Sequence, residues 1–267
     1  MKLPQSVPIL TAFTARVADR DMPCLLESPA ALARALADTQ TVVGHDGVLC
    51  LFDPLLLSSA CIGIQDEASA FGVPRGEALT PPDEILKAGS LATLLESIQA
   101  LPHHLPDKAL IFATFAGPGL LHSQLQDAFE SCGMSSDAGS DYVLDVIRNV
   151  VRSSLEMKAD GVALIEQMAP GVPSEIRRCH KTVRKLADFY DAGFMVFNLP
   201  GSEDPEPGIP AHCVFDLKPS ESRIGPLIGK LDPSAASNTP PLSTSGDVPV
   251  STTIEELKTW LQQGRAT

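Results

Sequence analysis

Asp53 is the carboxylate best placed for chemistry, because it closes the apolar run Gly47-Val-Leu-Cys-Leu-Phe52. A carboxylate where a buried strand ends can stabilise a developing cation or carry a proton. Asp-Pro also starts helices well, so the competing reading is an N-cap for the stretch from Pro54. Arg16 follows the run Val7–Phe13 and could clamp a substrate carboxylate; the alternative is a surface ion pair with Asp19 or Asp21. His122, after the run Ala109–Phe115, titrates near neutrality and suits acid–base work, or is a first-turn helix residue. Glu166 and Gln167 follow Gly161–Ile165, and Asn198 lies in Phe194–Leu199. They could hydrogen-bond a ligand or satisfy buried backbone groups. Lys230 and Asp232 close the run Gly225–Gly229 as ligand contacts, or as an ion pair or turn. Phe13 and Phe115 end their runs and join the substrate-binding group. Gly117-Pro-Gly119 is too sparse for a phosphate loop, since no G-K-[ST] follows.

These residues are ordered by eight apolar runs, the six in which they lie or which they follow, together with His212–Phe215 and a weaker Pro241–Ser245. The apolarity is continuous rather than alternating, so both faces are covered, as in a parallel sheet. Eight such units close a (β/α)8 TIM barrel, a fold of about 250 residues whose chemistry sits where strands end. The 267 residues fit one such domain over 1–267. Pattern and capping predict helices over 29–43, 54–64, 83–101 with a break near Gly89-Ser90, 120–132, 141–158, 174–191 and 253–264. Ser28 is the N-cap of the first. Residues 133–140 read as a small-residue loop, 72–76 as another, and Gly193 as a C-terminal helix cap. Gly201–Pro210 and Leu231–Pro241 are too Pro-rich to hold a helix. The C-terminal half is therefore expected to lack some outer helices, leaving surface for a homodimer mate or partner subunit to cover.

The net charge of −13 disfavours nucleic acid, whose phosphates need a Lys/Arg stripe, and otherwise serves solubility. The six cysteines form no C-x-x-C pair and several lie in apolar runs, as expected of reduced thiols in a cytoplasmic protein. No signal peptide or membrane span is expected.

Five stretches are similar, in the right order, to the uroporphyrinogen decarboxylase superfamily, which includes corrinoid and cobalamin-independent methyltransferases. They are Gly47-Val-Leu-Cys-Leu-Phe-Asp-Pro-Leu55, Ala116-Gly-Pro-Gly-Leu-Leu121, Ala159-Asp-Gly-Val-Ala163, Leu227-Ile-Gly-Lys-Leu-Asp-Pro233 and Gly246-Asp-Val-Pro-Val-Ser-Thr-Thr253. The resemblance implies that Asp53 is the catalytic aspartate and that Arg16 stands in the arginine segment after the first strand. The family's third-loop tyrosine falls near Gln124 and its last-loop histidine near Ser245. The methyltransferase branch uses zinc held by one His and two Cys. Here His212-Cys213 is the nearest pair, but adjacent strand residues point to opposite faces, and no metal is expected.

The resemblance thus implies a divergent barrel, first of all a cofactor-independent decarboxylase of a small organic or tetrapyrrole-type acid. In it the substrate is protonated and Asp53 stabilises the resulting cation as a carboxylate is lost. Methyl transfer in the corrinoid-linked branch is the alternative, and a non-catalytic binding subunit is the third reading.

Overall fold

A computed structural model describes residues 3–63, 79–106, 109–168, 174–202, 211–217, 226–231, 241–244, 247–249 and 251–265. Asp232, Ser245 and the loop 72–76 lie outside them, as does most of Gly201–Pro210 and Leu231–Pro241. The helices are α1 (Thr11–Val17), α2 (Met22–Leu26), α3 (Pro29–Val43), α4 (Leu56–Ile62), α5 (Gly89–Ala100), α6 (Pro118–Gln124), α7 (Gln126–Ser131), α8 (Ser136–Glu156), α9 (Ser174–Phe189) and α10 (Ile254–Arg265). The strands are β1 (Gly47–Leu49), β2 (Leu110–Ala116), β3 (Gly161–Glu166), β4 (Gly193–Asn198), β5 (Cys213–Asp216), β6 (Pro226–Ile228), β7 (Lys230–Leu231) and β8 (Leu242–Thr244).

The fold is α/β with a parallel-dominated sheet. Strands β1 to β5 run parallel in sequence order, and β7 pairs antiparallel with β5. β6 pairs antiparallel with β8. The expectation of eight parallel strands therefore holds for five. Parallel neighbours need a crossover of about a dozen residues or more, usually a helix. Only Gly229 separates β6 from β7, and among the described residues no helix lies between β4 and β8.

The first apolar run is also corrected: it is not a strand to Phe13. Ser6 makes a parallel bridge to Leu242. The Val7 N–H donates to the Leu242 carbonyl at 2.8 Å, and the Gly47 N–H donates to the Ser6 carbonyl at 2.8 Å. Residues 5–7 thus lie between β8 and β1, joining the two ends of the chain as expected. The chain then turns into α1, which takes Phe13 away from the strand end.

Local chemistry accounts for several helix boundaries. Ser28 accepts from the Ala31 N–H at 3.4 Å, Pro29 opens α3, and Gly44 closes it at φ 78°. α8 begins five residues before the expected start at Asp141. Ser135 caps it, and Gly139 lets Phe129 approach to within 3.0 Å of where a Cβ would stand. Gly193 is not a helix cap; it opens β4, and Asp191 makes the preceding turn at φ 55°.

The strands separate two apolar layers. Val7, Ile9, Leu49, Phe112, Ala163, Met195, Phe197, Cys213 and Phe215 form one cluster. The alternate residues Val48, Ile111, Ala113, Phe115, Val162, Leu164, Phe194 and Val196 pack with the helices. Both faces of β2, β3 and β4 are thus buried, which is why these runs are apolar without a break. No described helix is long and apolar enough to cross a membrane.

His45, in the turn before β1, is 3% exposed and its Nδ1 has no hydrogen-bond partner among the described residues. Burial pushes its pKa down to about 3. The unfolded chain takes up this proton near pH 6.5, about 3.5 units sooner, so stability falls as pH drops below that value. Between pH 7 and 5 the loss is about 2 kcal/mol from this residue. Urea denaturation at both pH values should show the wild type losing about 2 kcal/mol more than His45→Gln. Equal losses would contradict the assignment.

Candidate functional site

The carboxyl ends of β3, β4 and β5 carry a row of polar residues in register: Glu166 faces Asn198, and Asn198 faces Asp216. They continue the helix-facing rows of Leu164, Val196 and Val214, because strand side chains alternate. Asn198 Nδ2 donates to Asp216 Oδ1 at 2.8 Å, and Lys230 Nζ lies 2.5 Å from Asp216 Oδ2. Burial pushes the Asp216 carboxyl up, but the Lys230 and Asn198 hydrogen bonds and the Lys230 charge outweigh it and hold it below its ordinary range.

Glu166 is fully buried. Its Oε1 accepts from the backbone N–H groups of Leu120 and Gln167, each at 2.9 Å, and its Oε2 from Gly119 at 3.4 Å. His180 Nε2 of α9 is 2.7 Å from Oε2. The segment Gly117-Pro-Gly119 is the cradle for this carboxylate. A Cβ on Gly117 would fall 2.6 Å from Glu166 Oε2, and one on Gly119 2.8 Å from Oε1. The sequence offers no phosphate loop here, and the geometry shows a resident carboxylate in the place of an anion.

The other expected residues divide among several surroundings. Asp53 is half-buried, and its Oδ1 accepts from the Leu55 N–H at 2.8 Å, an Asx turn leading into α4. Arg16 is exposed; its Nη1 donates to the Thr252 carbonyl at 2.6 Å and its guanidinium lies 5.3 Å from the Phe13 ring centre. Phe13 is buried with Leu10, Leu257 and Trp260, between α1 and α10. Phe115 packs on the helix-facing layer. His122 is buried in α6 with its ring 5.7 Å from Phe129, and burial lowers its pKa. Gln167 is half-buried and reaches the Pro200 carbonyl at 3.5 Å. Lys230 is exposed and committed to Asp216. The structure therefore joins Glu166 to the helices and links Asn198 to Lys230 through Asp216. It sets Arg16 on Phe13, apart from that row.

A second group forms where residues 5–10, β1 and β8 end. Thr11 Oγ1 accepts from the Phe52 N–H at 3.0 Å, beside Asp53. Asp247 Oδ2 accepts from the Ala12 N–H at 3.2 Å, with the Thr11 and Val248 N–H groups also favouring its charged form. Asp247 is exposed by surface area, yet burial pushes its carboxyl up to about 6. Sequence reasoning missed Asp247 because the run before it is weak. The available signal was an acid two residues after that run, close to the place where Asp53 follows its own. Phe52 stacks edge-on against Phe197 at 5.5 Å, and Phe197 lies flat on Phe215 at 4.7 Å, within the apolar layer of Val7, Ile9 and Leu49. Two recesses lie elsewhere: about 420 Å³ beside Arg20, Leu25 and Arg34, and about 380 Å³ beside Ser59, Glu84 and Lys87. Neither touches an expected site residue.

The residues do not fit a zinc ion held by one His and two Cys. Every His and Cys of the chain is described, and no three metal-binding side chains come together among the described residues. His212 accepts from the Phe194 N–H at Nδ1, at 2.9 Å, and its Nε2 lies 2.9 Å from Asp188. Cys213 is buried in the opposite layer.

No protein-family model matches the chain, and no curated protein matches it. Among solved structures it is similar to a methyltransferase from Methanosarcina mazei, with a TM-score of 0.54 and 16% identity. The match covers 76% of this chain and 66% of that one, so the chain spans just under two thirds of that protein's length. The likeness is one of fold.

The Glu166 junction yields a stability prediction. Glu166→Ala strands three backbone donors and His180, and should cost about 3–5 kcal/mol. Gly119→Ala should cost about 1–3 kcal/mol by crowding the carboxylate. Gln167→Ala should stay within about 0.5 kcal/mol. Urea midpoints rank the three, and a Glu166→Ala protein as stable as Gln167→Ala would refute the junction.

Proposed function

We propose that the chain is a divergent (β/α)8-barrel enzyme that moves a methyl group from a methyl carrier to a small acceptor at the carboxyl ends of its strands. The fold likeness to a methyltransferase carries this reading. The hydrogen bonding from β8 through residues 5–7 to β1 supports a closed barrel, and the five sequence stretches resemble the superfamily to which both decarboxylases and methyltransferases belong. Decarboxylation, placed first on the sequence resemblance, has less behind it. Loss of a carboxylate from a polyacid needs cations to hold that substrate. Arg16 lies on the Thr252 carbonyl and Lys230 on Asp216.

In this reading Thr11, Phe52, Asp53 and Asp247 form the acceptor's end of the site. The Asx turn fixes Asp53 relative to α4, so its second oxygen meets a ligand without rearrangement, the condition for electrostatic stabilisation. The Phe52–Phe197–Phe215 stack excludes water below. A single domain, with a second copy covering the face short of helices, completes the proposal.

Methylcobalamin, offered with a panel of thiol, amine and hydroxyl acceptors, tests the reading. Wild type should consume the methyl–cobalt absorbance and release a methylated acceptor seen by mass spectrometry. Asn preserves the Asx turn, so Asp53→Asn should leave stability unchanged while lowering the rate about 100-fold. No turnover above the protein-free control would reject methyl transfer, and full activity in Asp53→Asn would reject the role of Asp53.

A further inference from the structure

We propose that the recess between the end of α1, α2 and α3 binds a small organic anion, a carboxylate or phosphate ester with a short apolar body. The inference stands apart from the methyl-transfer reading, because none of the residues lining this recess belongs to the strand-end group. The recess holds about 420 Å³, within the range of sites that accept small molecules. Ala18, Leu25, Ala30, Ala31 and Ala35 give it an apolar wall, of which Leu25 and Ala35 are buried. Arg20, Arg34 and Asp38 give it charge.

The sequence accounts for the space. Residues four apart on a helix are neighbours on one face, so Ala31 and Ala35 leave a stretch of α3 with no side chain longer than a methyl. Arg34 and Asp38 have the same spacing and lie beside it. α1 ends at Val17, and Asp19 takes φ 52°, a left-handed turn that Asp tolerates better than most residues. That turn leads into α2, whose Leu25 lines the recess, and Arg20 stands between the two helices.

Charge decides the class of ligand. Arg20 is exposed, and its guanidinium makes no hydrogen bond or ion pair among the described residues. Its chain neighbour Asp21 is engaged, accepting from the Cys24 N–H at 3.0 Å as the cap of α2. Arg34 Nε lies 3.8 Å from Asp38 Oδ2, with both side chains mostly exposed, and such a pair holds little. Two guanidiniums thus meet one acid along this recess. A guanidinium binds a carboxylate or phosphate through parallel N–H···O bonds. In a chain of net charge −13, solubility does not call for two arginines facing one recess. A bare inorganic ion would leave the apolar wall unused, and a neutral molecule would leave the arginines unused. An anion with a hydrocarbon body uses both.

Carbon-13 NMR of the full chain labelled at alanine methyls reads the recess directly, with Ala18, Ala31 and Ala35 assigned by single Ala→Ser variants. The probes are hexanoate, hexyl phosphate, hexanol and inorganic phosphate, at constant ionic strength. Hexanoate or hexyl phosphate should move these three methyls saturably, and the tighter of the two names the head group. Hexanol and inorganic phosphate should bind about 10-fold more weakly or worse. Arg20→Gln removes no native contact, so the protein should fold as before and bind the anion about 10-fold more weakly or worse. Ala31→Leu, which fills the recess, should abolish binding, and Arg152→Gln on the distant α8 should leave it unchanged. Three results would each overturn the proposal: unchanged binding in Arg20→Gln, equal binding of hexanol or inorganic phosphate, or no movement of the three methyls with either organic anion.

Discussion

A carboxylate buried without water must be surrounded by donors, because the cost of taking it out of water is several kcal/mol. Glu166 meets that demand at the end of β3 with the N–H groups of Gly119, Leu120 and Gln167 and with His180 of α9. Much of the architecture follows. The start of α6 must come to the carboxylate, so residues 117 and 119 have no room for a Cβ. α9 must lie over the same strand end, so its His180 is buried. One side chain thus fixes two helices against β3.

That junction also divides the strand ends chemically. On the β3–β7 side, Glu166 is held by the backbone and His180, and Asp216 by Asn198 Nδ2 and Lys230, in a row that continues the helix-facing layer; the buried Asn198 Oδ1 has no partner among the described residues. On the side where residues 5–10, β1 and β8 end, the carboxylates of Asp53 and Asp247 accept from backbone N–H groups. A network whose members are mutually satisfied rigidifies a structure. A carboxylate fixed by backbone dipoles and open to solvent is prepared for a ligand. The account places ligand chemistry on this second side.

Some of this was legible in the residues. Ser28-Pro29 and Gly44 bracket α3, and the unbroken apolarity of β2, β3 and β4 marks strands buried on both faces. The same unbroken apolarity hides the phase: a strand with no polar face does not say which residues point to which layer. For that reason Phe115, Glu166 and Asn198 could be placed at strand ends but not assigned to the helix-facing side. α1 was hidden because Thr11-Ala-Phe13 extends an apolar run with no capping residue, its N-cap position being Leu10 without a side-chain bond. The antiparallel β5–β7 and β6–β8 pairings were not readable, because a short apolar run carries no signal of strand direction. Asp247 was obscured because Leu242–Thr244 is three residues long and not strongly apolar as a sequence.

The central claim is that a ligand is met by Thr11, Asp53 and Asp247 rather than by the polar row of β3–β7. Nitrogen-15 amide chemical shifts recorded while the thiol, amine and hydroxyl acceptors are added in turn test it most directly. The account predicts that the largest shifts fall on Thr11, Ala12, Phe52 and Val248. Shifts concentrated on Gln167, Leu199 and Leu217, with the first group unmoved, would contradict it.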